Sequence, residues 1–170
     1  MRGAIEAQVR IGRPQSVTIT GDDNVVPTIK TDVSGDRLTI GPEKSYESSV
    51  PLRAEIVVPE LDWVGISGAS TATVSGVDVE AITLRASGAS TIRAGGTAGN
   101  VNAEASGASR MRLEDLSAEQ AEVDATGAST IDVTVSERLT GSASGASTIT
   151  YAGDAQVSVS TSGASTVRRR

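Results

Sequence analysis

A pentapeptide, SGAST, returns along this chain every nineteen residues or so, and that recurrence restricts the available folds more than any other feature. SGAST or a one-letter variant starts at Ser67, Ser87, Ser106, Thr126, Ser144 and Ser162. Its glycines are Gly68, Gly88, Gly107, Gly127, Gly145 and Gly163, with successive steps of 20, 19, 20, 18 and 18 residues. A fixed period of this size is the mark of a solenoid, too short for paired-helix repeats or a propeller blade. Leucine-rich repeats of similar length need far more Leu than this chain contains.

Aligned on the glycine, the copies show the two-residue alternation of strands. Six residues before it stand Ile82, Val101, Ala121, Leu139 and Val157; four before it, Leu84, Ala103, Val123, Gly141 and Val159; two before it, Ala86, Ala105, Ala125, Ala143 and Thr161. These columns point inward. The interleaved columns are polar: Thr83, Asn102, Glu122, Thr140 and Ser158, then Arg85, Glu104, Asp124, Ser142 and Ser160. The same parity resumes after the motif, with Ala72, Ile92, Met111, Ile131, Ile149 and Val167 inside and Thr73, Arg93, Arg112, Asp132, Thr150 and Arg168 outside.

One strand therefore precedes each SGAST and another follows it. The stretches between, such as SGVDVEA and EDLSAEQA, vary in length and form a third side. The predicted architecture is all-β: a single-chain parallel β-helix of about 18–20 residues per turn, each strand pairing with its equivalent one turn away. The composition agrees. Only 38% of residues are hydrophobic, there is no Phe, and the aromatics are Tyr46, Trp63 and Tyr151. Small residues fill a narrow interior.

Gly and Ala at the corner permit a sharp bend and close stacking of turns. Unbroken parity places Ser70, Ser90, Ser109, Ser129, Ser147 and Ser165 inside, one above another, where stacked hydroxyls can satisfy one another. A one-residue phase shift at the corner would instead turn these serines out and the alanines in. The first part of the chain lacks SGAST but reads as strands in AIEAQVRIG, SVTIT, VPTIKTDV, RLTIG and LRAEIVVP, with GPEKSYESSVP, from Gly41 to Pro51, as a loop. Residues 1–60 are read as opening turns or a cap continuous with the solenoid and residues 61–170 as the SGAS-repeat coil, about eight or nine turns in all. Arg168, Arg169 and Arg170 put charge on a strand edge that would otherwise invite end-to-end pairing; they could equally be added residues.

The order of these pieces, from GAIEAQVRIG through SVTITGDDNVVPTIKTDV, GDRLTIG and EIVVPELDWVGISGAS into the repeats, resembles the head GIN domain family, the auto-transporter adhesins of bacterial envelopes. That resemblance implies a right-handed parallel β-helix, a periplasmic, cell-surface or secreted location, and an adhesive role. It supplies no catalytic residues.

Chemistry is constrained by what is missing. With no His and no Cys, imidazole- and thiol-based catalysis and metal sites are closed, and no cofactor is expected. A net charge of −6 disfavours nucleic acid. No run reaches the roughly 20 apolar residues of a membrane-spanning helix, and MRGAIEAQVR lacks the apolar core of a secretory signal. GDDN, from Gly21 to Asn24, lacks the alternating ligands of a calcium loop, and AGGTAGN lacks the Asp of the calcium-binding nonapeptide. Arg85, Glu104 and Asp124 share one outward column and Arg93, Arg112 and Asp132 another, which reads as charge pairing between turns.

Two surface candidates remain. Trp63 either stacks on a sugar ring or packs over the end of the coil. Thr71, Thr91, Arg110, Thr130, Thr148 and Thr166 form an outward file beside the corner alanines, interrupted at Arg110. The leading expectation is a non-catalytic envelope domain with an adhesive or structural surface, whose partner is a surface glycan or an envelope protein. The alternatives are a polysaccharide-processing enzyme, since β-helices can carry carboxylates on such faces, and a binder of ice or crystal surfaces through the Thr/Ala ladder.

Overall fold

A computed structural model describes Met1, residues 3–43 and residues 51–170. The expected loop from Gly41 to Pro51 therefore lies largely outside the described residues. The chain forms a β-solenoid of about six turns. Its first strand is β1 (Ile5–Ile11), and the coil proper continues through β6 (Trp63–Ile66), β7 (Thr71–Ala86), β8 (Thr91–Ala105), β9 (Arg110–Ala125), β10 (Thr130–Ala143), β11 (Thr148–Ala152), β12 (Gln156–Thr161) and β13 (Thr166–Arg169). Each turn pairs in parallel with the next, one repeat away: Thr71 with Thr91, Thr91 with Arg110, Arg110 with Thr130, Thr130 with Thr148 and Thr148 with Thr166.

The interior follows the alternation. Ile82, Leu84, Ala86, Ile92, Val101, Met111, Val123, Ile131, Leu139 and Ile149 are all buried. The stretches of variable length are themselves strand, folded around two bends, and they contribute Val77, Ala98, Leu116, Ala118 and Val135 to the core. Unequal repeat lengths are absorbed as bulges at those bends, such as the register shift between Val74 and Val77.

Each corner glycine has two reasons to be glycine. Gly88, Gly107, Gly127 and Gly145 have φ between 73° and 76°, the left-handed region that a Cβ disfavours. A Cβ on Gly107 would also lie 2.7 Å from the carbonyl oxygen of Gly88, with the same conflict repeated at each step. That carbonyl accepts a bond from the next turn: Ala108 N–H donates to Gly88 O at 2.8 Å and Ala128 N–H to Gly107 O at 2.7 Å. The parallel ladder thus runs through the corner without a break.

The glycine file begins earlier than the repeat. Ala69 N–H donates to Gly3 O at 2.8 Å, and Ser67 N–H donates to Met1 O at 2.9 Å, so Gly3 occupies the corner one turn before Gly68 although the two are 65 positions apart in sequence. Ile5 stands where later corners have serine, and β1 pairs with β7 from Glu6↔Thr71 onward. Residues 12–62 leave the coil and return. Within that excursion β5 (Leu52–Val58) pairs in parallel with the outer edge of β1, β2 (Ser16–Thr20) adds antiparallel to β5, and β3 (Ile29–Ser34) with β4 (Arg37–Pro42) forms a separate hairpin. Beyond the single parallel rung of β5, the antiparallel pairing of β2 and of the β3–β4 hairpin cannot continue a parallel coil. The expected eight or nine turns become about six. Val25, Ile40, Leu52, Ala54 and Ile56, all buried, lie over the first turn as part of its core.

Candidate functional site

The corner serines face inward: Ser70, Ser90, Ser109, Ser129 and Ser147 are 1–2% exposed, and Ser165, in the last turn, is half-buried. Their partners differ from expectation. They do not bond one another but donate to corner carbonyls, Ser109 Oγ to Ser106 O at 2.8 Å and to Ala86 O of the preceding turn at 3.2 Å. Ser147 reaches Ala125 O at 3.0 Å, and Ser165 reaches both Ser162 O and Ala143 O at 2.9 Å. A carbonyl already bonded along the ladder still has a second lone pair, and the tight corner brings it closer than the next hydroxyl. These serines are therefore structural ties, closed to ligands.

The outward file falls into register as adjacent rungs, with Thr71, Thr91, Thr130 and Thr148 half-buried and Arg110 and Thr166 exposed. Beside it runs a second file in which Thr73 pairs with Arg93, Arg93 with Arg112, Arg112 with Asp132 and Asp132 with Thr150. Arg112 and Asp132 do not form the expected ion pair. Asp132 is approached instead by Arg170 at 3.8 Å, and Arg168 Nε donates to Thr150 Oγ1. Charge pairing between turns does occur on the side before the corner, where Arg85 holds Glu104 at 2.8 Å and Ser142 donates to Asp124. It also occurs at the start of the coil, where Arg53 meets Glu6 at 3.3 Å.

Trp63 stands outward on β6, opposite Thr83. Its ring lies over Gly65, whose missing side chain makes the room: a Cβ there would sit 2.2 Å from the ring. The Arg37 guanidinium carbon lies 4.3 Å from the ring centroid on the β4 side. With Gly65 beneath it and Arg37 over it, the indole joins the β3–β4 hairpin to the coil and offers no open face for a sugar. The cleft alongside, about 640 Å³, is walled by Leu38, Ile40, Val58 and Leu61 and edged by Asp36 and Glu60. Among the described residues no group of three or more acidic side chains is gathered as a metal would require, and no helix is long and apolar enough to cross a membrane.

The sequence columns read Arg93, Arg112 and Asp132 as paired charge, whereas the structure stacks Arg93 on Arg112 and turns Asp132 toward Arg170. The available signal was arginine in the same column of two consecutive repeats, next to the one copy in which Arg110 replaces threonine.

Fold and surface together define a β-solenoid: a narrow core, buried through the middle turns, with outward side chains in in-register files. The chain belongs to the family described as "Putative auto-transporter adhesin, head GIN domain", whose model matches residues 1–155. No curated protein matches it in sequence. Among solved structures it is similar to a "putative adhesin" from Bacteroides fragilis NCTC 9343, with a TM-score of 0.74 and 16% identity, covering 99% of this chain and 90% of that one. It is also similar to a "putative lipid binding protein" from Parabacteroides distasonis ATCC 8503, with a TM-score of 0.59 at 16% identity over 99% and 90% of the two chains. A "putative adhesin" from the same organism gives 0.52 at 17% identity over 100% and 90%.

Proposed function

We propose that this is a non-catalytic domain of the bacterial envelope, periplasmic or at the cell surface, that works as an adhesive or structural face toward a surface glycan or an envelope protein. The observation that carries this reading is the pair of outward files after the corners, Thr71 to Thr166 and Thr73 to Asp132, presented about 4.8 Å per rung on a parallel sheet, with Thr150 covered in the next rung. Such a face engages a partner by many small contacts rather than by enclosing it. Membership in an adhesin family supports the same reading.

The carboxylates that the ladder brings to adjacent rungs support it further. Glu104 and Asp124 are direct neighbours, but one is held by Arg85 and the other by Ser142. Both line a groove of about 340 Å³, but the partners that hold them mean that neither is presented there as a free acid or nucleophile. The test is to immobilise the protein and measure retention of bacterial cells and of purified envelope glycans, while assaying the same glycans for released reducing ends. Saturable retention without turnover is expected. Sustained release of reducing ends would overturn the reading.

A further inference from the structure

The charges of the coil are not scattered. From β7 onward, the first four residues of the strands that follow the corners carry Arg93, Arg110, Arg112, Arg168 and Arg169, and the one carboxylate among them is Asp132. Every other acidic residue of the repeats lies elsewhere on the turn, the nearest being Glu114 at the bend after Arg112. A protein of net charge −6 thus turns a basic face outward on one side.

Among the described residues, three of these arginines have no counter-charge. Arg93 and Arg112 are direct ladder partners, so their α-carbons lie about 4.8 Å apart. Arg110 and Arg112 stand on the same side of β9, two residues and about 6.7 Å apart. Arg93 and Arg110 are exposed and Arg112 half-buried, and among the described residues none of the three makes an ion pair or a side-chain hydrogen bond. Like charges directly opposed on neighbouring strands destabilise a sheet. At other places on this coil an arginine meets a carboxylate on the adjacent rung, as Arg53 meets Glu6 and Arg85 meets Glu104. The carboxylate that register offers to Arg112, Asp132, is drawn to Arg170. Thr91 and Thr130, the rung neighbours of Arg110, add hydroxyl groups on both sides of the cluster.

We infer that Arg93, Arg110 and Arg112 form an anion-binding patch, and that the partner of this face is an acidic glycan carrying sulfate or carboxylate groups. Planar guanidinium groups engage such oxyanions through paired N–H donors, and an anion lying between Arg93 and Arg112 relieves their repulsion. The acidic remainder of the molecule repels a densely charged nucleic-acid backbone, whereas a glycan with separated charges can meet the patch alone. This inference rests on the adhesive reading above and names its ligand class.

The test uses the whole chain and three columns: dextran sulfate, polygalacturonate and unmodified dextran. Retention on one or both polyanions, lost as salt rises, is expected, with none on dextran; the column that retains tells sulfate from carboxylate. The double variant Arg93→Gln, Arg112→Gln should bind about tenfold more weakly or worse, while its melting temperature stays level or rises because the repulsion is gone. Arg110→Gln should weaken binding less. Failure of the wild type to bind either polyanion at low salt would overturn the inference, as would a double variant that binds like the wild type. Equal retention on single-stranded DNA would overturn the glycan assignment. Binding of whole cells in the face of these failures would leave the adhesive reading standing.

Discussion

The two ends of the coil present the same kind of residue in opposite circumstances. At the first turn Ile5, Ala7 and Val9 are buried because β5 pairs along the outer edge of β1 and Val25 and Ile40 cover what remains. At the last turn Val157 and Val167 occupy the same inward columns as Leu139 and Ile149, yet Val157 is 39% exposed and Val167 half-exposed. Among the described residues β12 and β13 pair along one edge alone, and Arg168 and Arg169 stand on that edge. In a solenoid, burial belongs to the gap between turns. An inward letter is a core residue only when a turn lies on both sides of it.

That difference can be tested by making equal substitutions in the middle of the coil and at its last turn. The largest effect is expected at the corners. Gly107→Ala adds left-handed strain of about 1–2 kcal/mol and drives a Cβ into the Gly88 carbonyl, so a total loss above about 3 kcal/mol is expected in chemical denaturation. Gly163→Ala meets the same carbonyl clash but can move away from its single neighbouring turn, so about half that loss is expected. Equal losses would show that the last turn is held as firmly as the middle.

Truncation of inward side chains comes next. Leu113→Ala, fully buried, should cost about 2–5 kcal/mol, whereas Val157→Ala should cost less than about 1 kcal/mol. A smaller pair lies in the serine file. Ser109→Ala removes a hydroxyl shared by two buried carbonyls and should cost about 1 kcal/mol, with Ser165→Ala costing a few tenths. Ala86 O and Ala143 O keep their ladder bonds from Ser106 N–H and Ser162 N–H, which limits both values. Trp63→Ala is comparable with the serine pair in global terms, at about 0.5–1 kcal/mol. Its signature should be local: faster amide exchange in β3 and β4 with β8 and β9 unchanged. Unaltered exchange in the hairpin would remove the indole from the closure of the first turn.

Much of the coil was legible because its determinants are local or periodic. Alternation told inward from outward for Ile82, Leu84, Ile92 and Met111, and the repeated glycine marked the bends. The first corner was not legible, since Gly3 is followed by Ile5 where every later copy has serine, and only pairing across 65 residues identifies it. For residues 1–60 the sequence leaves opening turns and a cap continuous with the solenoid both open, because alternation cannot distinguish a parallel strand from an antiparallel one. The surface was legible in part. The columns placed Arg93 opposite Arg112, but whether Asp132 would neutralise Arg112 or turn to Arg170 depended on the path of a chain end nearly forty residues away.

By itself, then, the sequence determined the period, the facing of each strand residue and the need for glycine at each corner, because these follow from backbone sterics and from a repeat that stacks like on like. Only the tertiary structure decided which strand opens the coil, which end is covered and which arginines stand without a partner. Those outcomes depend on contacts between segments far apart in the chain, and no local pattern records which of two chemically acceptable neighbours will arrive.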